Sequence, residues 1–108
     1  MATDYLYINT TESVTYTFDY ASDLPNDTTL NNIGSGSTIT AYSSAGTDVS
    51  STILSSKTRT SMVLSVVIGA VTDFEEYRVE FVGQGATTSN KITKVLDLRA
   101  RKLIQGGF

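Results

Sequence analysis

Between Asp73 and Arg101 the side chains alternate in character along two successive segments, and no other feature constrains the chain as strongly. In the first segment Tyr77, Val79 and Phe81 alternate with Arg78 and Glu80. A period of two puts apolar side chains on one side only of an extended strand. In the second, Ile92, Leu96, Leu98 and Ala100 share one side, while Lys91, Thr93, Asp97 and Arg99 share the other. Lys94 interrupts the inner row and is expected near the frayed start of that strand. Gly83, Gln84, Gly85 and the run Ala86–Asn90 supply the turn between them, since Gly tolerates positive φ and Ser, Thr and Asn bond their own backbone. The stretch predicts an antiparallel hairpin with one wet face. Its dry face requires a second sheet to cover it.

The rest of the chain supplies that sheet. Tyr5–Asn9 is a short candidate first strand. Ser13–Tyr20 is a strong one, with Val14, Tyr16, Phe18 and Tyr20 on one side and Thr15, Thr17 and Asp19 on the other. A long polar connection, Ala21–Ser35, follows, which Leu24, Leu30 and Ile33 can pin to the core. Ser37–Tyr42 predicts a third strand and Asp48–Leu54 a fourth, with Ser55–Ser61 as a polar, basic connection. Met62–Ile68 predicts a fifth, apolar on both sides, as in a central strand or one with a covered outer face. With the hairpin this makes seven short strands separated by turn signals, the pattern of an all-β antiparallel sandwich. Asp73 lies four residues before Tyr77, and Val79 two after it. Immunoglobulin-like sandwiches place a tyrosine corner at this point, its hydroxyl bonded to upstream backbone. The alternative is an ordinary inward-facing aromatic.

Composition limits the chemistry. The 108 residues include no Cys and no His, which removes thiolate chemistry, disulfides and the near-neutral proton shuttle. Thirty of the 108 are Ser or Thr, yet no base or Gly-x-Ser-x-Gly elbow accompanies them. Asp73, Glu75, Glu76 and Glu80 crowd one strand entry, as solvated carboxylates do, rather than facing across a cleft as a glycosidase requires. Asp19, Asp23 and Asp27, with Asn26 and Asn31, offer hard oxygen ligands for Ca²⁺, but without EF-hand spacing; turns and caps are the other use of such residues. No catalytic residue, cofactor or metal ligand is assigned. The longest apolar stretch, Met62–Val71, falls well short of the about 20 residues a spanning helix needs. The start, MATDYLYINTT, lacks the basic and apolar blocks of a signal peptide. The net charge of −3 argues against nucleic acid as a partner. The charges are also split along the chain. Asp4, Glu12, Asp19, Asp23, Asp27 and Asp48 precede the first basic residue, Lys57, and five of the eight basic residues lie in the last 18 positions. Such a split steers one subunit's end toward another's, or it is incidental.

The segments Tyr16-Thr17-Phe18-Asp19-Tyr20, Asp23-Leu24 and Ser37-Thr38-Ile39-Thr40-Ala41 resemble the opening of small immunoglobulin-like virion proteins of tailed bacteriophages. Tyr77-Arg78-Val79-Glu80-Phe81-Val82, Ala86-Thr87-Thr88-Ser89-Asn90 and Leu96-Asp97-Leu98-Arg99 resemble their closing hairpin. The resemblance covers residues 13–101. It implies an immunoglobulin-like sandwich with a non-enzymatic place in the particle, as a neck or tail adaptor, or alternatively as a capsid cement protein. The expected organisation is an N-terminal arm or first strand over 1–12, the sandwich over 13–101 and a C-terminal extension over 102–108. Asp73, Tyr77, Tyr16, Phe18, Val79, Phe81, Leu96 and Leu98 are expected to build the fold. Arg99, Arg101, Lys102, Leu103, Ile104 and Phe108 are the interface candidates. Residues 1–9 and 102–108 are expected to order on neighbouring subunits, the acidic front meeting the basic rear in a homo-oligomer with other virion proteins. The expected setting is the virion, after synthesis in the host cytoplasm, with no membrane partner. A loop-borne glycan- or receptor-binding module is the second alternative.

Overall fold

The computed structural model describes residues 2–101. Among these residues seven strands form two sheets. They are β1 (Ala2–Asn9), β2 (Val14–Asp19), β3 (Thr38–Ser43), β4 (Leu54–Thr60), β5 (Val63–Ile68), β6 (Glu76–Gln84) and β7 (Lys91–Arg101), with one helical turn, α1 (Ser50–Ile53). The four-stranded sheet runs β1-β7-β6-β3 and the three-stranded sheet β2-β5-β4. The hairpin lies at the heart of the larger sheet, with Val79 opposite Leu96 and Tyr77 opposite Leu98. β5 is the central strand of the smaller one.

The alternating rows meet between the sheets. Val79, Phe81, Leu96 and Leu98 from the larger sheet and Leu64, Val66 and Ile68 from the smaller are fully buried. Phe18 meets Phe81 edge-on at 4.8 Å between ring centres and Tyr16 at 5.4 Å. Tyr16 itself is half-buried. No buried side-chain oxygen or nitrogen among the described residues lacks a partner.

Several expectations need correction. Residues 2–9 form a full strand of the larger sheet, paired in parallel with β7 of the same chain from Ala2–Lys94 to Asn9–Arg101, so the sandwich is not wholly antiparallel. Of the two expectations for this segment, arm or first strand, the chain takes the strand, beginning at Ala2 rather than Tyr5. The strand expected at Asp48–Leu54 is a turn and a helical turn instead. Asp48 Oδ1 accepts from the Ser50 N–H at 2.9 Å and the Ser50 hydroxyl at 2.7 Å, a local bond that starts α1 in place of a strand. The fourth strand falls on the polar stretch that follows, Leu54–Thr60, at the edge of the smaller sheet. Ser56, at φ 49°, accommodates the bulge between Ser55 and Thr58. Lys94 does not lie at a frayed start. It sits inside β7, and its ammonium reaches the far sheet.

Tyr77 makes a corner bond. Its hydroxyl accepts from the Thr72 backbone N–H at 3.0 Å, five residues upstream. Asp73, next to Thr72, is half-buried at the same bend. The Tyr77→Phe variant leaves that N–H without its acceptor and is expected to cost about 1 kcal/mol, read from the urea midpoint.

Candidate interaction surface

One end of the sandwich, where β7 begins, is tied together by charged side chains. The loop 20–37 packs Leu24 and Leu30 into the core and carries Asp27, which is buried. Asp27 Oδ1 accepts from the Thr87 and Thr88 N–H groups at 2.8 and 3.0 Å, and Oδ2 from the Thr88 hydroxyl at 2.6 Å. These bonds hold the Asp27 carboxyl below the usual carboxylate range, the Thr88 hydroxyl contributing most. The three loop aspartates do not converge. Asp19 Oδ1 accepts from the Ala21 N–H, Asp23 pairs with Lys94 at 2.7 Å, and Asp27 holds the hairpin turn. Among the described residues no three Asp or Glu side chains gather as a metal site would require.

Lys94 is the second tie. Its ammonium donates to the Asp19 carbonyl at 3.1 Å and lies 5.1 and 5.7 Å from the ring centres of Tyr20 and Phe18. The aliphatic stem fills an inner-row position while the charge emerges beside Asp23, the snorkelling that long cations permit. A basic residue of the rear half is thus paired with an acidic residue of the front half inside one subunit. Arg99 meets Glu76 at 4.0 Å, both exposed, and the exposed Arg78 meets the half-buried Asp97 at 3.6 Å.

The Asp27 bonds predict an acid dependence. A carboxylate held below its unfolded value of 3.8 contributes stability above that pH and loses it as pH falls through the folded value. Denaturant midpoints of the native chain are expected to drop with acid in that window. The Asp27→Asn variant is expected to start lower and to vary less across the same window.

The outer face of the larger sheet differs in character. Tyr5 and Tyr7 of β1 are 70% and 68% exposed, and Phe74, before β6, is 77% exposed. In the β1–β7 register Tyr5 stands beside Asp97, Tyr7 beside Arg99 and Asn9 beside Arg101. Arg101 spreads over the Phe74 ring at 5.5 Å. Phe74 holds φ at 64°, a left-handed conformation that bulky residues rarely adopt. Aromatic rings and guanidinium groups therefore share one strip along β1 and the end of β7. That composition matches the centres of protein contacts. Sequence reasoning singled out Arg99 and Arg101 but missed Tyr5, Tyr7 and Phe74. The signal for the two tyrosines was their alternation with Leu6 and Ile8.

Farther across the same sheet, an open depression of about 420 Å³ is lined by Tyr42, Ser43, Glu76, Arg78, Glu80 and Asp97, among others. Of the crowded carboxylates, Glu76 and Glu80 line it, whereas Glu75 is exposed outside it. The structural set Tyr16, Phe18, Tyr77, Val79, Phe81, Leu96 and Leu98 comes together in and around the core. Lys102, Leu103, Ile104 and Phe108 lie outside the described residues. No helix among the described residues is long and apolar enough to cross a membrane.

Compared with family models, with curated proteins and with solved structures, the chain finds no match.

Proposed function

We propose that this chain is a non-enzymatic contact module of the immunoglobulin-like kind, a virion component of tailed bacteriophages that works as a symmetric oligomer at the neck or tail. The observation that carries the reading is the strip on the outer face: Tyr5, Tyr7 and Phe74, the large apolar residues left exposed among the described residues, lie with Arg99 and Arg101. Exposed aromatics gathered in one place mark a surface meant to be covered. Strand order supports the immunoglobulin-like part. The arrangement β2-β5-β4 against β7-β6-β3 matches the two sheets of that fold, with a corner tyrosine at the start of β6. The virion assignment rests on the sequence resemblance over residues 13–101.

The polar side chains at the most closely knit places already have structural work. Asp27 fastens a turn, Lys94 bridges the sheets and Tyr20 donates to the Phe81 carbonyl at 2.7 Å. That use fits a module that acts by shape. The test is the mass of the purified chain in solution, together with uptake into particles of a chain lacking residues 102–108. The reading expects an oligomer and impaired uptake. A monomer whose shortened form incorporates as well as the full chain would overturn it.

A further inference from the structure

We infer that the free edge of β1 is a self-association site that takes the same edge of a second copy, antiparallel, with Tyr5 at the two-fold axis. This deepens the contact-module reading and rests on it for its purpose, while its geometry is independent of it.

The backbone phase of β1 comes first. The Asn9 N–H donates to Glu12 Oε1 at 2.8 Å, and the Asn9 carbonyl accepts from the Glu12 N–H at 2.9 Å. Both backbone groups of Asn9 therefore face away from β7. In a parallel pair the residues facing one neighbour alternate with those facing the other. The N–H and C=O groups of Thr3, Tyr5 and Tyr7 thus point outward from the sheet, and no described residue pairs with them.

The other edges are blunted or shorter. On β3, Ala41 donates its N–H to Ser50 Oγ and its carbonyl accepts from the Val49 N–H, the Ser43 N–H donates to the Thr47 carbonyl, and just before the strand Ser37 is bonded to Asn32 and Gly34. β4 is bulged at Ser56 and carries Lys57 and Arg59, devices that discourage edge pairing. On β2 the row is shortened at its end, where Lys94 takes the Asp19 carbonyl and the Asp19 carboxylate accepts the next N–H, that of Ala21. β1 has none of these devices. It holds no Pro, Lys or Arg, and its single charge, Asp4, accepts the Tyr16 hydroxyl at 2.5 Å on the inner row.

A row of free N–H and C=O groups is satisfied by another strand. Placing the axis at Tyr5 sets Thr3 opposite Tyr7 of the second copy and Tyr5 opposite Tyr5. One contact then satisfies both rows and closes, as a two-fold interface does. No like charges meet across it. The tyrosines, exposed in the single chain, become cross-strand aromatic neighbours, pairs that favour sheet formation. The competing occupant is the C-terminal segment of a neighbour. It offers only Lys102–Gln105 before Gly106 and Gly107, shorter than the Thr3–Tyr7 row, and glycine weakens a strand.

The selective variant is Tyr5→Pro. Proline removes the N–H that faces outward and leaves the β1–β7 ladder its donors. Sedimentation is expected to give a dimer for the full chain and for a chain lacking residues 102–108, and a monomer with unchanged circular dichroism for Tyr5→Pro. Because the chain has no cysteine, Tyr5→Cys is a single-site probe. A short bismaleimide is expected to capture it as a covalent dimer and to leave Thr40→Cys, on β3, monomeric. This probe also decides the matter if the proline variant fails to fold. A dimer that survives Tyr5→Pro, one lost only on removing residues 102–108, or no capture at position 5 would overturn the inference. A full chain that is monomeric yet enters particles overturns the edge pairing alone and leaves the contact-module reading standing. A monomer excluded from particles removes both.

Discussion

Replacing Phe81 by alanine is expected to destabilise the fold by about 3–5 kcal/mol, the range for emptying a large buried aromatic site. Phe81 is fully buried on β6 and is the ring that joins the sheets. Its centre lies 4.8 Å from that of Phe18 and 6.4 Å from that of Tyr16, both on the opposite sheet. The Phe18 pair is edge-on, an arrangement that adds about 0.5–1.5 kcal/mol to the buried area. Its carbonyl also takes the Tyr20 hydroxyl, so a backbone shift that relieved the cavity would disturb a buried bond. Domains are stable by about 5–15 kcal/mol in all, so the variant is expected to unfold at a small fraction of the native urea midpoint. A shift below about 1 kcal/mol would place the core elsewhere.

The second large effect is expected at Gly85. A β-carbon there would overlap the Asp27 carboxylate, which the loop 20–37 cannot withdraw without giving up its bonds to Thr87 and Thr88. The Gly85→Ala variant is therefore expected to release the loop from the hairpin turn, not merely to loosen one contact. Hydrogen exchange locates the effect. The Thr87 and Thr88 amides are expected to lose protection first, while the Val79 and Leu96 amides keep theirs. Asp27→Asn, which keeps the shape and removes the charge, is expected to weaken the same amides less. Uniform loss of protection across β6 and β7 would mean that the clamp is part of the global core.

These two sites differ in how legible they were. Phe81 announced itself, because a period of two with aromatic and β-branched residues on one side is how an inner row must be written. β2, β5, β6 and β7 were readable for the same reason. β4 was not, because its residues after Leu54 are exposed or half-buried and carry no apolar row; only its place beside β5 makes it a strand. The turn at Asp48 was hidden by Val49 and Ile53, whose spacing suits a strand until the Asp48–Ser50 bond is known. Lys94 read as a break in the pattern because alternation does not anticipate a cation spanning two sheets. Both halves of the Gly85–Asp27 clamp were visible as turn residues, but a separation of about 60 positions concealed that they meet. The linear charge split was plain, yet folding joins Lys94 to Asp23 within one subunit, so chain order says little about which surface is charged.

The central claim is that this sandwich works by being covered by other copies. Sedimentation of the full chain over a concentration series tests it most directly. The account predicts a mass that is a multiple of 11.6 kDa, falling toward the single chain on dilution. A mass of 11.6 kDa at every concentration up to the solubility limit, for a chain that also fails to enter particles, would contradict it.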